Sequence, residues 1–181
     1  MAKITAGKRF LIYFAVISIV AVCEVTISYM FAKSGRAENE FFAATVSCQV
    51  YEQFDGEYKN EINVKNTGNI SAFIRVRLVS HWEDGDGNII AKNSVMPQIF
   101  PAEGWLEMGN NTYCYTVPVK AGESTPSLLA APIQLESHDG CNQVISVFAE
   151  AIQSIPAKAV GESWNVIVSK TSDGTMITGL N

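Results

Sequence analysis

The feature that most constrains this chain is a strict two-residue alternation of apolar and polar side chains. In "TVSCQVYE", Val46, Cys48 and Val50 alternate with Thr45, Ser47, Gln49 and Tyr51, and in "NEINVKN" Ile62 and Val64 share one face. Successive side chains of a strand point to opposite sides, so this period marks half-buried β-strands. The clearest case is "NVKNTGNISAFIRVRLVSHW". Ala72, Ile74, Val76, Leu78 and Trp82 fall on one face, and Phe73, Arg75, Arg77, Val79 and His81 on the other. The arginines are most simply the solvated or cross-strand-paired face of one long strand, with a functional anion site as the alternative reading. "NTGN" ahead of it carries the Asn/Gly chemistry of a tight turn, and "EDGDGN" after it reads as a hairpin.

The same pattern recurs downstream. "TYCYTVPV" predicts a strand with Tyr113, Tyr115 and Val117 on one face, and "LLAAPIQLE" another with a kink at Pro132. In "NQVISVFAEAIQSI", Ile145, Val147, Ala149 and Ala151 alternate, with Phe148 opposite. "MPQIFPAEGWLEMGNN" reads as a crossing loop, "PAKAVGESW" as a short helical turn started by Pro156, "WNVIVSK" as a closing strand, and the rest as a tail. The sum is about seven to nine strands with hardly any helix, the profile of an all-β, two-sheet sandwich of jelly-roll type.

Ahead of this domain stands a different kind of segment. "MAKITAGKR" is short and basic, and the apolar run from Phe10 to Cys23 ends at Glu24. That run falls short of the roughly 20 residues a membrane-spanning helix needs, and it fits the apolar core of a secretory signal. Small side chains at Thr26 and Ser28 suit cleavage before Tyr29, with Ala32 as a second candidate. The expected organisation is a leader over residues 1–28, in transient contact with the membrane, and one β-sandwich domain over 29–181. Two alternatives stay open, an uncleaved anchor that buries Glu24 and a pilin-type leader cut near Gly7. Without the first 28 residues, ten basic side chains face seventeen acidic ones, a net charge of −7. So acidic a body repels phosphate backbones and excludes nucleic acid as an expected partner.

Few residues offer chemistry. His81 and His138 are the only histidines, and neither belongs to a zinc-binding pattern. Asp84, Asp86 and Asn88 alternate like calcium ligands, but Val95 stands where an EF-hand loop requires a bidentate Glu, so calcium is the one candidate cofactor and an incomplete one. Glu150, among apolar neighbours, is expected either outward or in an ion pair with Arg75 or Arg77. Trp105, Tyr113 and Tyr115 are candidates for an aromatic ligand-binding surface or for core. Outside the leader the cysteines number three, Cys48, Cys114 and Cys141. A Cys114–Cys141 disulfide with one free thiol competes with three small buried side chains.

Several of these pieces together resemble the exported proteins of Gram-positive bacteria that carry the alternate, SipW-type signal peptide, the TasA/camelysin-like family. "TISYMFAKSGRAENEFFAATV" is similar to the family's cleavage region, with Thr26, Tyr29, Asn39, Phe41 and Val46 at matching places. "VKNTGNISAFIRVRLVSHWEDGDGN", "WLEMGNNTYCYTVPVKAGESTPSLL" and "VFAEAIQSIPAKAVGESW" resemble its later segments, so the likeness runs from about Thr26 to Trp164. It implies a jelly-roll-like sandwich, export by a dedicated signal peptidase, and a place at the cell surface or in an extracellular biofilm matrix. It also implies self-assembly into fibres, in which an N-terminal segment completes a neighbour's sheet. Here the donor would be the alternating segment Phe41 to Val50, with Phe41, Phe42, Val46, Cys48 and Val50 as its apolar residues. Pairing of that segment within its own domain is the competing expectation. Camelysin-like members have been called metalloproteases, but no zinc-ligand set is recognisable here and the expectation is a non-enzymatic protein.

Overall fold

The computed structural model describes residues 43–172 and 174–181, together with Gly7, Tyr13, Phe14, Ser18 and Glu24. The chain divides into a unit of residues 1–42 and a compact unit, Ala43–Asn181. The leader, the cleavage residues Ser28 and Tyr29, and the donor residues Phe41 and Phe42 therefore lie outside the described residues, the five named leader positions excepted. Among the described residues no helix is long and apolar enough to cross a membrane.

The compact unit is mostly β, as the alternation predicts. Its strands are β1 (Cys48–Phe54), β2 (Tyr58–Asn66), β3 (Ala72–Glu83), β4 (Ile89–Ile90), β5 (Trp105–Gly109) and β6 (Thr112–Tyr115). They continue with β7 (Ile133–Gln134), β8 (Ser137–His138), β9 (Cys141–Gln153), β10 (Val166–Thr171) and β11 (Gly174–Leu180); the helix α1 (Ala157–Trp164) precedes β10. One sheet has the order β1-β2-β7 and the second β5-β6-β3-β9-β8, with β4 also on β3. β10 and β11 form a separate hairpin, and every pairing is antiparallel.

The two larger sheets share one core. Ile62 and Val64 of β2 meet Ile74, Val76 and Leu78 of β3 there, joined by Trp105, Tyr113, Leu128 and Ile145. Burying each such aliphatic side chain is worth roughly 1.5–3 kcal/mol, which is why the even-numbered face of β3 sets the register. β3 and β9 pair over twelve residues, from Ala72↔Gln153 to Glu83↔Asn142. Val147, Ala149 and Ala151 therefore share the core face, with Phe148 and Glu150 on the other.

That other face departs from the sequence reading at Phe73. Phe73 is fully buried, in a second cluster with Cys114, Val160, Trp164, Val166 and Ile177. α1 and the β10–β11 hairpin cover it, so β10 does not close either larger sheet. The expected tail is strand β11, whose Ile177 N–H donates to Thr116 O at 2.8 Å. In α1, Val160 and Trp164 lie four residues apart on one face, and both are buried. Asn165, in the left-handed region, ends the helix by donating its N–H to Gly161 O. The expected crossing loop also contains a strand, β5, joined to β6 by a two-residue turn with Asn110 and Asn111 at φ 51° and 55°. Two consecutive positive φ values are the geometry of a primed hairpin turn, which suits Asn.

"NTGN" is a corner between the two sheets, not a hairpin, because β2 and β3 belong to different sheets. Asn66 is fully buried and satisfied, donating from Nδ2 to Ile70 O and Val119 O, both at 2.8 Å, and accepting from Gly68 N–H at 3.0 Å. The corner also holds the entering chain. Thr67 and Gly68 N–H donate to Ser47 O, and Asn69 exchanges bonds with Thr45 and donates to Ala43 O. Gly68 is required by close approach, since a Cβ there would collide with Thr45 O.

Candidate functional site

The site that the fold builds is a sheet edge. Main-chain groups of alternate residues on a strand point to alternate sides. The N–H groups of Ala72 and Leu78 donate away from β9, to Val119 O and Asn111 O, so the even residues of β3 do not bond β9. Their partners in register, Ile145, Val147, Ala149 and Ala151, therefore turn N–H and C=O to the far side of β9. On that side β8 pairs only with Cys141 and Asn142, and Gln143 N–H donates to Glu136 O at 2.8 Å. Beyond Ile145 the edge of β9 has no strand partner among the described residues.

Facing this edge is β1, the edge strand of the other sheet. Between them runs a cleft of about 690 Å³ lined on one side by Glu52, Phe54 and Lys59 and on the other by β9 from Asn142 to Phe148. Phe54 and Phe148 are more than half exposed at its rim. The register of β1 on β2 slips between Gln53 and Phe54, leaving Asn60 as an extra residue and turning Lys59 inward. Lys59 is 4% exposed, and its ammonium donates to Ile145 O at 2.7 Å and pairs with the Glu52 carboxylate. An inward lysine that caps an edge carbonyl is a device that blunts a sheet edge. It occupies the edge carbonyl of Ile145 and leaves the edge without a strand partner from Val147 to Ala151.

The predicted donor segment is only in part available. Cys48 and Val50 already pair with Asn66 and Val64 of β2, so from Cys48 onward this segment is a strand of its own domain. Their side chains were needed by the core that Val64 belongs to. Val46, ahead of the strand, is 36% exposed.

The Cys114–Cys141 disulfide is not formed; Cys48, Cys114 and Cys141 are all free. Cys114 stands opposite Arg75 on β3, which stands opposite Glu150 on β9, nine residues from Cys141. At about 3.3 Å per residue that is roughly 30 Å along the strand, far beyond a disulfide's reach. Cys114 is fully buried, and burial pushes its thiol up to about 11, opposed by the nearby positive charge of Arg75. Cys48 is also raised, by burial and then by the negative charge of Glu150.

Glu150 takes the ion-paired alternative. Its carboxylate accepts from Arg75 at 2.5 Å, and the Arg75 guanidinium lies 4.8 Å from the Trp164 ring centre. Asp84 closes the β3–β4 hairpin, accepting from the N–H groups of Asp86 and Asn88 at 2.9 Å each. Those bonds, chiefly with Asn88, hold its carboxyl below the usual range. Among the described residues no group of three or more His, Cys, Asp or Glu is placed to hold a metal. His81 bonds Glu83 at 2.8 Å and His138 bonds Asp139 at 3.0 Å. Trp105 and Tyr113 are buried, and Tyr115 packs against Trp105 with ring centres 5.4 Å apart. The three are not exposed together, and the aromatic surface is not formed.

Lys59 and Glu52 are the site residues that sequence reasoning missed, and no local pattern marks them. No protein-family model matches the chain, and neither a curated protein nor a solved structure matches it.

Proposed function

We propose that this is an exported, non-enzymatic structural protein of the cell surface or extracellular biofilm matrix, with a jelly-roll-type sandwich, that assembles into fibres by strand addition. The observation that carries the reading is the open edge of β9 from Val147 to Ala151 beside an exposed apolar rim. An unpaired edge recruits an extended segment through main-chain hydrogen bonds, and alternate side chains fill the cleft. The donor is the stretch ahead of Ala43, freed by a dedicated signal peptidase, because the residues from Cys48 onward are committed to β2. The basic-apolar leader and the resemblance to the SipW-dependent, TasA-like proteins support export.

The test uses protein secreted by its host. Amino-terminal sequencing fixes the cut, expected near Tyr29, and electron microscopy with size analysis reads assembly. Fibres are the expected product. A protein that stays monomeric at high concentration would remove the assembly reading.

A further inference from the structure

Arg75 and Arg77 lie two residues apart on one face of β3 and differ in their partners. Arg75 is neutralised by Glu150 and stacked on Trp164. Arg77 is exposed and forms none of the ion pairs found among the described residues. Beside Arg77 the sheet has a gap. β6 ends its pairing with β3 at Arg77↔Thr112, the Leu78 N–H still reaches Asn111 O at 2.9 Å, and β4 begins only at Trp82. The main chain of Ser80 points to the same side as that of Leu78, so its N–H and C=O open into this gap without a strand partner. Main-chain groups left in this way are sites for a partner.

The gap is a depression of about 640 Å³. Arg77 and Ser80 line it, with Met96 and Met108 as apolar walls, and no acidic side chain does. In a chain of net charge −5 that is a local reversal of sign. We propose that the gap binds a carboxylate, its oxygens shared between the Arg77 guanidinium and the Ser80 N–H, with the apolar body of the ligand on Met96 and Met108. Guanidinium presents paired donors that match a planar carboxylate. One unneutralised positive charge selects a monoanion over a phosphate dianion, since Arg75 is already spent on Glu150.

Isotopically labelled full-length protein titrated with hexanoate, and watched by NMR at the Ser80, Asn111 and Thr112 amides, tests this. Saturable shifts confined to the gap are expected. Arg77→Gln should weaken hexanoate about tenfold or more, as loss of a charge-assisted bond implies, and Arg77→Lys should fall between. Acetate, lacking the apolar body, should bind more weakly than hexanoate. Arg77 is exposed, so an unchanged amide spectrum elsewhere confirms that the variants fold. No saturable shift, equal affinity in Arg77→Gln, or inorganic phosphate binding as tightly as hexanoate would each overturn the proposal.

Discussion

At the scale of single residues, Gly68 and the cysteines carry the most. Gly68 has an ordinary backbone conformation and is needed only because Thr45 O passes where a Cβ would stand. Gly68→Ala should therefore push Ala43–Ser47 off the Asn66–Asn69 corner. We expect a loss of about 1–3 kcal/mol, the usual cost of overpacking, read as a lower denaturant midpoint and faster proteolysis before Cys48. Gly85→Ala, where a Cβ meets nothing within 4 Å, is the control and should leave both unchanged. The thiols make an independent test. Cys141 is partly exposed in the β8–β9 hairpin, burial raises the Cys48 thiol, and burial pushes the fully buried Cys114 thiol up to about 11. Alkylation of native protein at mildly alkaline pH, followed by mass spectrometry, should modify Cys141 first, Cys48 later and Cys114 only on unfolding. Because the folded Cys114 holds its proton more tightly than the unfolded one, its contribution to stability is present below about 9 and is lost as pH rises toward 11. Modification of Cys114 as fast as Cys141 would contradict this packing.

At the scale of elements, the Lys59 clamp decides how far β9 is open. Removing the ammonium leaves Ile145 O and the Glu52 carboxylate without their donor. Lys59→Met should cost about 1–3 kcal/mol, the penalty for a buried acceptor left unpaired, measured as a urea midpoint. Glu52→Gln should cost less, since that carboxylate is a third exposed. An unchanged midpoint in Lys59→Met would mean that the clamp holds nothing. This element also marks where sequence reading ends. β2, β3 and β9 were legible because each turns one face to the core, as β1 does at Cys48 and Val50, and such a strand writes its burial into a period of two. Phe73 broke the reading because its cover is α1 and the β10–β11 hairpin, elements that arrive some ninety residues later. β11 itself, "GTMITGL", is a strand because it pairs with β10 and buries Ile177, a tertiary context that its own residues do not announce. The inward turn of Lys59 depends on a one-residue slip in register, and the open edge depends on which strand lacks a neighbour. Neither fact is local.

At the scale of the whole molecule, the proposed assembly rests on main-chain donors that the domain itself does not use. That gives a variant separating assembly from folding. The Ala149↔Val76 pair directs the Ala149 N–H to the open side of β9, so Ala149→Pro removes no hydrogen bond between β9 and β3. Proline is tolerated on an edge strand whose N–H faces outward, and it forbids the added strand the bond it needs there. Ala149→Pro should be secreted, retain the β-rich circular dichroism of the parent, and remain monomeric where the parent forms fibres. Phe148→Pro is the opposite case, because the Phe148 N–H faces β3 and its loss should unfold the sheet. Mixing the folded Ala149→Pro protein with the parent gives a further reading. Its own amino-terminal donor is intact while its acceptor edge is blocked, so it should add to one end of a growing fibre and stop it. Fibres should shorten as the variant's share of the mixture rises. Undiminished fibre length in that titration, or fibres formed by Ala149→Pro alone, would place the contact between subunits somewhere other than β9.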